Sequence, residues 1–127
     1  MELIEAELLK LYVSENEKVR GKPAHTAIVR LAMERNLAGA TAYQGIMGFG
    51  MHRQVHTTKG VAVATEEAPI VIEIVDTPEK IEAFLPEIVD MAPRCLITLE
   101  RVRIAAWRDD AAAVSESAEL EDAEPVT

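Results

Sequence analysis

The sequence predicts an α+β domain of βαββαβ order, a four-stranded antiparallel sheet carrying both helices on one face. Three observations lead there. Leu8–Val13 alternates apolar and polar side chains with a period of two. Two stretches, 24–37 and 77–92, repeat apolar residues at helical spacing between strand-like segments. Ile70–Val75 is an almost unbroken β-branched run interrupted only by Glu73, the pattern of an interior strand.

In the first strand Leu9, Leu11 and Val13 share one face, and Lys10 and Tyr12 share the other. Residues 14–23 are polar, with Gly21 and Pro23, and read as a connector. The first helix spans 24–37 on the stripe Ala24, Ala27, Ile28 and Leu31. Pro23 suits its first turn, and Gly39 its C-terminal cap. Ala40–Ile46 resumes strand character and gives way to glycines at 45, 48 and 50. The connector from 51 to Pro69 is long for a compact domain and includes a short strand candidate at 61–64. Thr77 as N-cap, Pro78 and Glu79 then start a second helix on Ile81, Phe84, Leu85, Ile88 and Ala92. Pro86 should kink or split it, and Pro93 ends it. A last strand is expected over 95–107.

Two βαβ units share one sheet only by interleaving right-handed crossovers, which gives the ferredoxin-like arrangement. The face without helices is then bare. Ile and Val occupy both sides of 70–75, so that face is expected to be buried against copies of the same chain.

With 127 residues, 49% hydrophobic and 28% charged, one globular domain is expected. Its bounds are 8–108, with 1–7 as an N-terminal extension. The acidic tail 109–127 has no sustained apolar period and is read as disordered. No apolar run reaches membrane-spanning length and the first residues are acidic, so a soluble, cytoplasmic protein without membrane insertion is expected. The one cysteine, Cys95, excludes an internal disulfide and reads as a small buried thiol.

The net charge of −9 is unevenly placed. Seven acidic and no basic residues follow Arg108, leaving 13 basic against 15 acidic in the remainder. Between Glu17 and Lys59 stand seven Lys or Arg and all three His against two Glu, a region suited to an anionic ligand. Neither a phosphate loop nor a complete dinucleotide fingerprint is present; Gly48-Phe49-Gly50-Met51-His52-Arg53 begins like the latter but ends in Arg. Gly48 and Gly50 are read either as bulge or turn glycines or as sources of backbone amides for a ligand. His52 and His56 would share a face on a helix, but the glycines argue against one, so no metal is assigned. His25 reads as a surface or interface residue. Arg101 and Arg103 leave one face of the last strand, with Trp107 if the alternation holds; they grip an anion, or they form a solvated edge with Val102 and Ile104 toward the core. Nothing resembles a nucleophile elbow or an acid–base pair, so no enzyme is expected, and the acidic composition argues against nucleic acid.

Gly21-Lys22-Pro23, Leu37-Ala38-Gly39-Ala40-Thr41, Gly45-Ile46-Met47-Gly48-Phe49-Gly50, His56-Thr57, Pro69–Asp76 and Leu96-Ile97-Thr98-Leu99-Glu100 together closely resemble an uncharacterised PII-like family, a domain of unknown function. The resemblance covers about residues 8–107. It implies a ferredoxin-like fold assembled as a homotrimer, with small ligands, an adenine nucleotide among them, in clefts between subunits. It also implies that the loop 51–68 addresses a regulated partner such as a membrane transporter. That loop contains no Tyr, so modification of a loop tyrosine is not implied. The expected ligand set is Gly48, Gly50, His52, Arg53, His56, Arg101 and Arg103. The alternatives are a metal-binding module of the copper-tolerance (CutA) type using His52 and His56, and a purely structural or interaction role.

Overall fold

The structure, a computed structural model, describes residues 2–49, 56–57 and 69–106. The strand candidate at 61–64, Trp107 and the acidic tail lie outside these residues. In chain order the elements are β1 (Ile4–Ser14), β2 (Lys18–Val19), β3 (Lys22–Pro23), α1 (Ala24–Glu34), β4 (Ala40–Gln44), β5 (Met47–Gly48), β6 (His56–Thr57), β7 (Pro69–Asp76), α2 (Pro78–Met91) and β8 (Leu96–Ile104). The main sheet has four strands in the order β4-β7-β1-β8, antiparallel throughout, which is the ferredoxin-like topology.

The alternation in β1 and β7 decides which face is covered. Leu9, Leu11 and Val13 of β1 and Ile70, Ile72 and Ile74 of β7 are buried together with Ile28 and Leu31 of α1 and Ile81, Phe84 and Ile88 of α2. Both helices therefore lie on this face. Each fully buried aliphatic side chain contributes on the order of 1.5–3 kcal/mol relative to exposure. The intervening residues Leu8, Lys10, Val71, Glu73 and Val75 point the other way and are half-buried, with Tyr12 and Tyr43 exposed.

Several expected boundaries move for identifiable reasons. β1 starts at Ile4, four residues earlier than expected, because Ile4–Glu7 continue the pairing with β8 up to Ile104. The connector after β1 holds a tight hairpin, β2–β3, whose turn places Arg20 at φ 52° and Gly21 at φ 81°. Two successive positive φ values match the twist of the flanking strands, and glycine supplies one of them without strain. Helix α1 ends at Glu34, not Leu37. Asn36 takes the left-handed conformation at φ 61°, with Asn36 N donating to Met33 O and Leu37 N to Ala32 O, both at 3.0 Å. This is a Schellman closure built on Asn, so the capping role expected of Gly39 belongs to Asn36. Pro23 stands at the N-cap, one residue before the first helical turn.

Helix α2 starts as expected, with Thr77 Oγ1 accepting from Lys80 N and Pro78 at the first position. Pro86 does not split it; α2 runs unbroken to Met91, its interior held by Ile81, Phe84 and Ile88. Strand β8 stops at Ile104.

Two polar links fasten the helices. Asp76, 2% exposed, accepts from Ala38 N at 2.9 Å and Thr77 N at 2.7 Å, tying the approach to β4 to the start of α2. Arg35, at the end of α1, grips Glu87 of α2 through Nε at 2.8 Å and Nη2 at 2.6 Å. That hydrogen bond holds the Glu87 carboxyl below its ordinary range.

Replacing Asp76 with Ala leaves two amides without their acceptor and is expected to cost about 1–3 kcal/mol in urea unfolding. For Glu87 the lowered folded pKa means stabilisation present above the unfolded value and lost as pH falls through the folded one. Glu87→Gln should therefore be less stable than the native chain at neutral pH and converge with it in acid, as followed by urea titrations across pH.

Candidate functional site

The expected ligand residues divide between two opposite ends of the sheet. At one end Gln44 leads out of β4, and Gly45 N donates to Pro69 O at 2.8 Å. A Cβ on Gly45 would lie 3.1 Å from Pro69 Cγ, so close approach to Pro69 is what requires glycine here. At Gly48 the corresponding distance is an ordinary 3.7 Å. Neither residue has a positive φ; among the described glycines only Gly21 does. Gly48 pairs with His56 in the small β5–β6 ladder, which puts the backbone of two expected ligand residues side by side. Gly50, His52 and Arg53 lie outside the described residues. The β2–β3 hairpin, with Lys18, Arg20 and Lys22, leaves β1 at this same end and adds basic groups that the sequence reading did not assign to the site.

Arg101 and Arg103 stand at the other end. They pair with Glu7 and Glu5 of β1, whereas Pro69 pairs with Ser14. From Glu7 to Ser14 is about 23 Å of strand at roughly 3.3 Å per residue. Within one chain the glycine end and the arginine end thus do not converge.

The arginines do share a face, as expected, but it is the helix-bearing one, on an edge strand beyond the helices' cover, and both are exposed. Val102 and Ile104 consequently face away from the helices, not toward the core, because their pairing with Ala6 and Ile4 puts them on the open face. This corrects the orientation expected for the solvated-edge alternative. Arg101 Nε lies 3.4 Å from Glu7 Oε2. Glu7 is 7% exposed, and its second oxygen, Oε1, is buried with no hydrogen-bond partner among the described residues. Asp76 sits directly across from Glu7 on β7, so two buried carboxylates adjoin and Arg101 is the cation that answers Glu7. Arg103 makes no ion pair among the described residues and is free to meet an anion.

Glu7 and Asp76 were missed as members of this end. The signal existed, since Glu7 has the same parity as Leu9, Leu11 and Val13, but it required extending the first strand toward the N-terminus. His25 is half-buried, with Nδ1 enclosed and without a hydrogen-bond partner among the described residues. Burial, and next the charge of Glu17, pushes the Cys95 thiol up to about 11, so it is protonated at neutral pH. Among the described residues no three His, Cys, Asp or Glu are grouped to hold a metal ion, and no helix is long and apolar enough to cross a membrane.

The ferredoxin-like fold is shared with solved PII-like proteins. CPII of Thiomonas intermedia K12, bound to ADP, AMP and acetate, superposes with a TM-score of 0.55 at 15% identity, covering 84% of this chain and 94% of that one. A candidate PII-like signaling protein of Thermus thermophilus gives 0.59 at 16%, covering 82% and 93%. The divalent ion tolerance protein CutA1 of Ehrlichia chaffeensis gives 0.53 at 12%, covering 88% and 92%. At such identities the likeness is one of fold. The chain belongs to the DUF190 family (Uncharacterized ACR, COG1993), whose model matches residues 6–104. A UPF0166 protein of Aquifex aeolicus (strain VF5) is 36% identical over 104 residues, 82% of this chain and 97% of the relative. UPF0166 protein MJ1524 of Methanocaldococcus jannaschii is 31% identical over 94 residues, 70% and 81%.

Removing the cation from a buried carboxylate leaves an uncompensated charge. Arg101→Met is expected to lower the thermal midpoint, and Glu7→Gln in the same chain to remove most of that loss. A double-mutant cycle by thermal unfolding reads the coupling.

Proposed function

We propose that the protein is a PII-like regulatory protein that acts by binding and not by catalysis, and that its ligand is a small anion, an adenine nucleotide foremost, held between subunits. The observation that carries this reading is the separation of the two half-sites. The glycine end, with its basic hairpin, and the arginine end each offer donors to an anion, yet about 23 Å of strand separates them, at roughly 3.3 Å per residue. A nucleotide that uses both must lie between two chains, one contributing Gly48 and His56 and the other Arg101 and Arg103. The open sheet face, with Tyr12, Tyr43 and Leu96 exposed, supplies a surface for self-association as a homotrimer. ADP and AMP bound to CPII, on the same fold, support the ligand class.

In this reading the backbone amides near Gly48 and the guanidiniums of Arg101 and Arg103 bind phosphate oxygens, the latter through charge-assisted forks. Arg101 is shared between the anion and Glu7. Ligand binding then redistributes charge at the arginine end, and a partner, a membrane transporter among the candidates, is addressed through the connector 51–68. Most of that connector lies outside the described residues.

Calorimetry with ATP, ADP and AMP, run beside native mass spectrometry, tests this. The expected result is a multimer that binds at least one nucleotide. Arg103→Ala should weaken binding by about tenfold or more, the scale of one lost charge-assisted hydrogen bond. A monomer, or no heat with any of the three, overturns the reading; zinc or copper uptake in place of nucleotide would favour the role named for CutA1, which shares the fold.

A further inference from the structure

The open face of the sheet carries a polar row through its middle. Thr41 of β4 stands opposite Glu73 of β7, Glu73 opposite Lys10 of β1, and Lys10 opposite Thr98 of β8, so these four side chains cross the sheet in one line. The flanking rows are mainly apolar. On one side run Tyr43, Val71, Tyr12 and Leu96, and on the other Val75, Leu8 and, on the edge strand, Glu100, with Val102 and Ile104 beyond. Glu73 is engaged within the chain, accepting from the Tyr43 hydroxyl at 2.8 Å. That bond raises the Tyr43 pKa above the ordinary tyrosine value and keeps the phenol a donor. Lys10, half-buried at the centre of the sheet, makes no ion pair among the described residues.

Glu73 of the same chain stands across from Lys10 but is engaged by the Tyr43 hydroxyl and makes no ion pair with it, so whatever covers this face must deal with the Lys10 ammonium, because burying it without a paired carboxylate costs more than the surrounding apolar contact returns. The covering surface must also present a donor to the remaining acceptor capacity of Glu73. A second copy of this chain meets both demands at once, since it carries one group of each sign on adjacent central strands. In a closed ring of copies, Lys10 of one chain can meet Glu73 of the next all the way round. We infer that Lys10 and Glu73 pair between copies, and that this polar row sets the register in which the chains associate and the chains with which they associate. The inference rests on the self-association proposed above. It adds a residue pair and a selection rule: an apolar replacement of the row would keep copies together but lose the unique arrangement.

The test uses the full chain and native mass spectrometry at fixed concentration. Lys10→Glu alone and Glu73→Lys alone should each dissociate at least tenfold more readily than the native chain, and an equimolar mixture of the two should form mixed rings that hold together better than either variant alone, because in a ring of three two of the interfaces then join unlike copies. Glu100→Gln, on the same face but on the edge strand, should leave the assembly unchanged. Native-like assembly of both single variants, a mixture that holds together no better than either variant alone, or dissociation by Glu100→Gln alone would overturn the pairing. A monomeric native chain would instead overturn the self-association beneath it. If a charge reversal prevents folding, as judged by circular dichroism, Lys10→Met and Glu73→Gln provide the second measurement: weaker assembly in each supports the pair, and native-like assembly in both refutes it.

Discussion

The pairing of β1 with β7 is the constraint on which the rest of the molecule depends. Its register, Leu9 with Ile74 and Leu11 with Ile72, places one residue of every two under the helices and the next on the open face. A slip by one residue would turn one of the two strands over, putting Lys10 or Glu73 into the core and exposing that strand's leucines or isoleucines, so the alternation and the register enforce each other. The same pairing fixes which polar groups meet. Glu7 lands beside Asp76, and Lys10 beside Glu73, one pair on each face. The site at the arginine end and the row on the open face are thus two outcomes of a single strand alignment.

Asp76 shows how a fold of this size joins its layers with few polar contacts. It is the last residue of β7 and the residue before the N-cap of α2, yet its carboxylate also holds Ala38 on the approach to β4. One buried side chain therefore sets the entry of a helix and of an edge strand together. Arg35 and Glu87 do the corresponding work on the surface, where solvent weakens the pair and pH modulates it.

Much of the architecture was legible because its signals are local. The period of two in Leu8–Val13, the β-branched run at 70–75 and the Thr-Pro-Glu start of α2 each depend on neighbours in sequence. The elements that were misplaced depend on partners far along the chain. The added residues at the start of β1 are strand because Ile4 finds Ile104, which no local pattern announces. The helix stop moved from Gly39 to Asn36 because Asn tolerates a left-handed backbone nearly as well as Gly in this setting, and the Arg35–Glu87 grip lies at that end. Pro86 did not break α2, since the buried stripe of Ile81, Phe84 and Ile88 outweighs one missing hydrogen bond. Of the expected ligand residues, the parity of Arg101 and Arg103 was readable, but the face was not: on an edge strand either face can be solvated, and only the pairing with Glu5 and Glu7 decides.

The pairing of Ile4 with Ile104 also makes the two limits of the sheet adjacent. The chain enters and leaves the fold at one corner, on neighbouring strands, beside Arg101 and Arg103. Such a molecule is suited to circular permutation: a short linker can close that corner, and new termini can be opened elsewhere without crossing the core. It also means that any sequence appended after β8 emerges next to the arginines, so a charged or bulky fusion at that end would alter the electrostatic surroundings of the cationic half-site, while the glycine half of the same chain stays at the far end of the sheet.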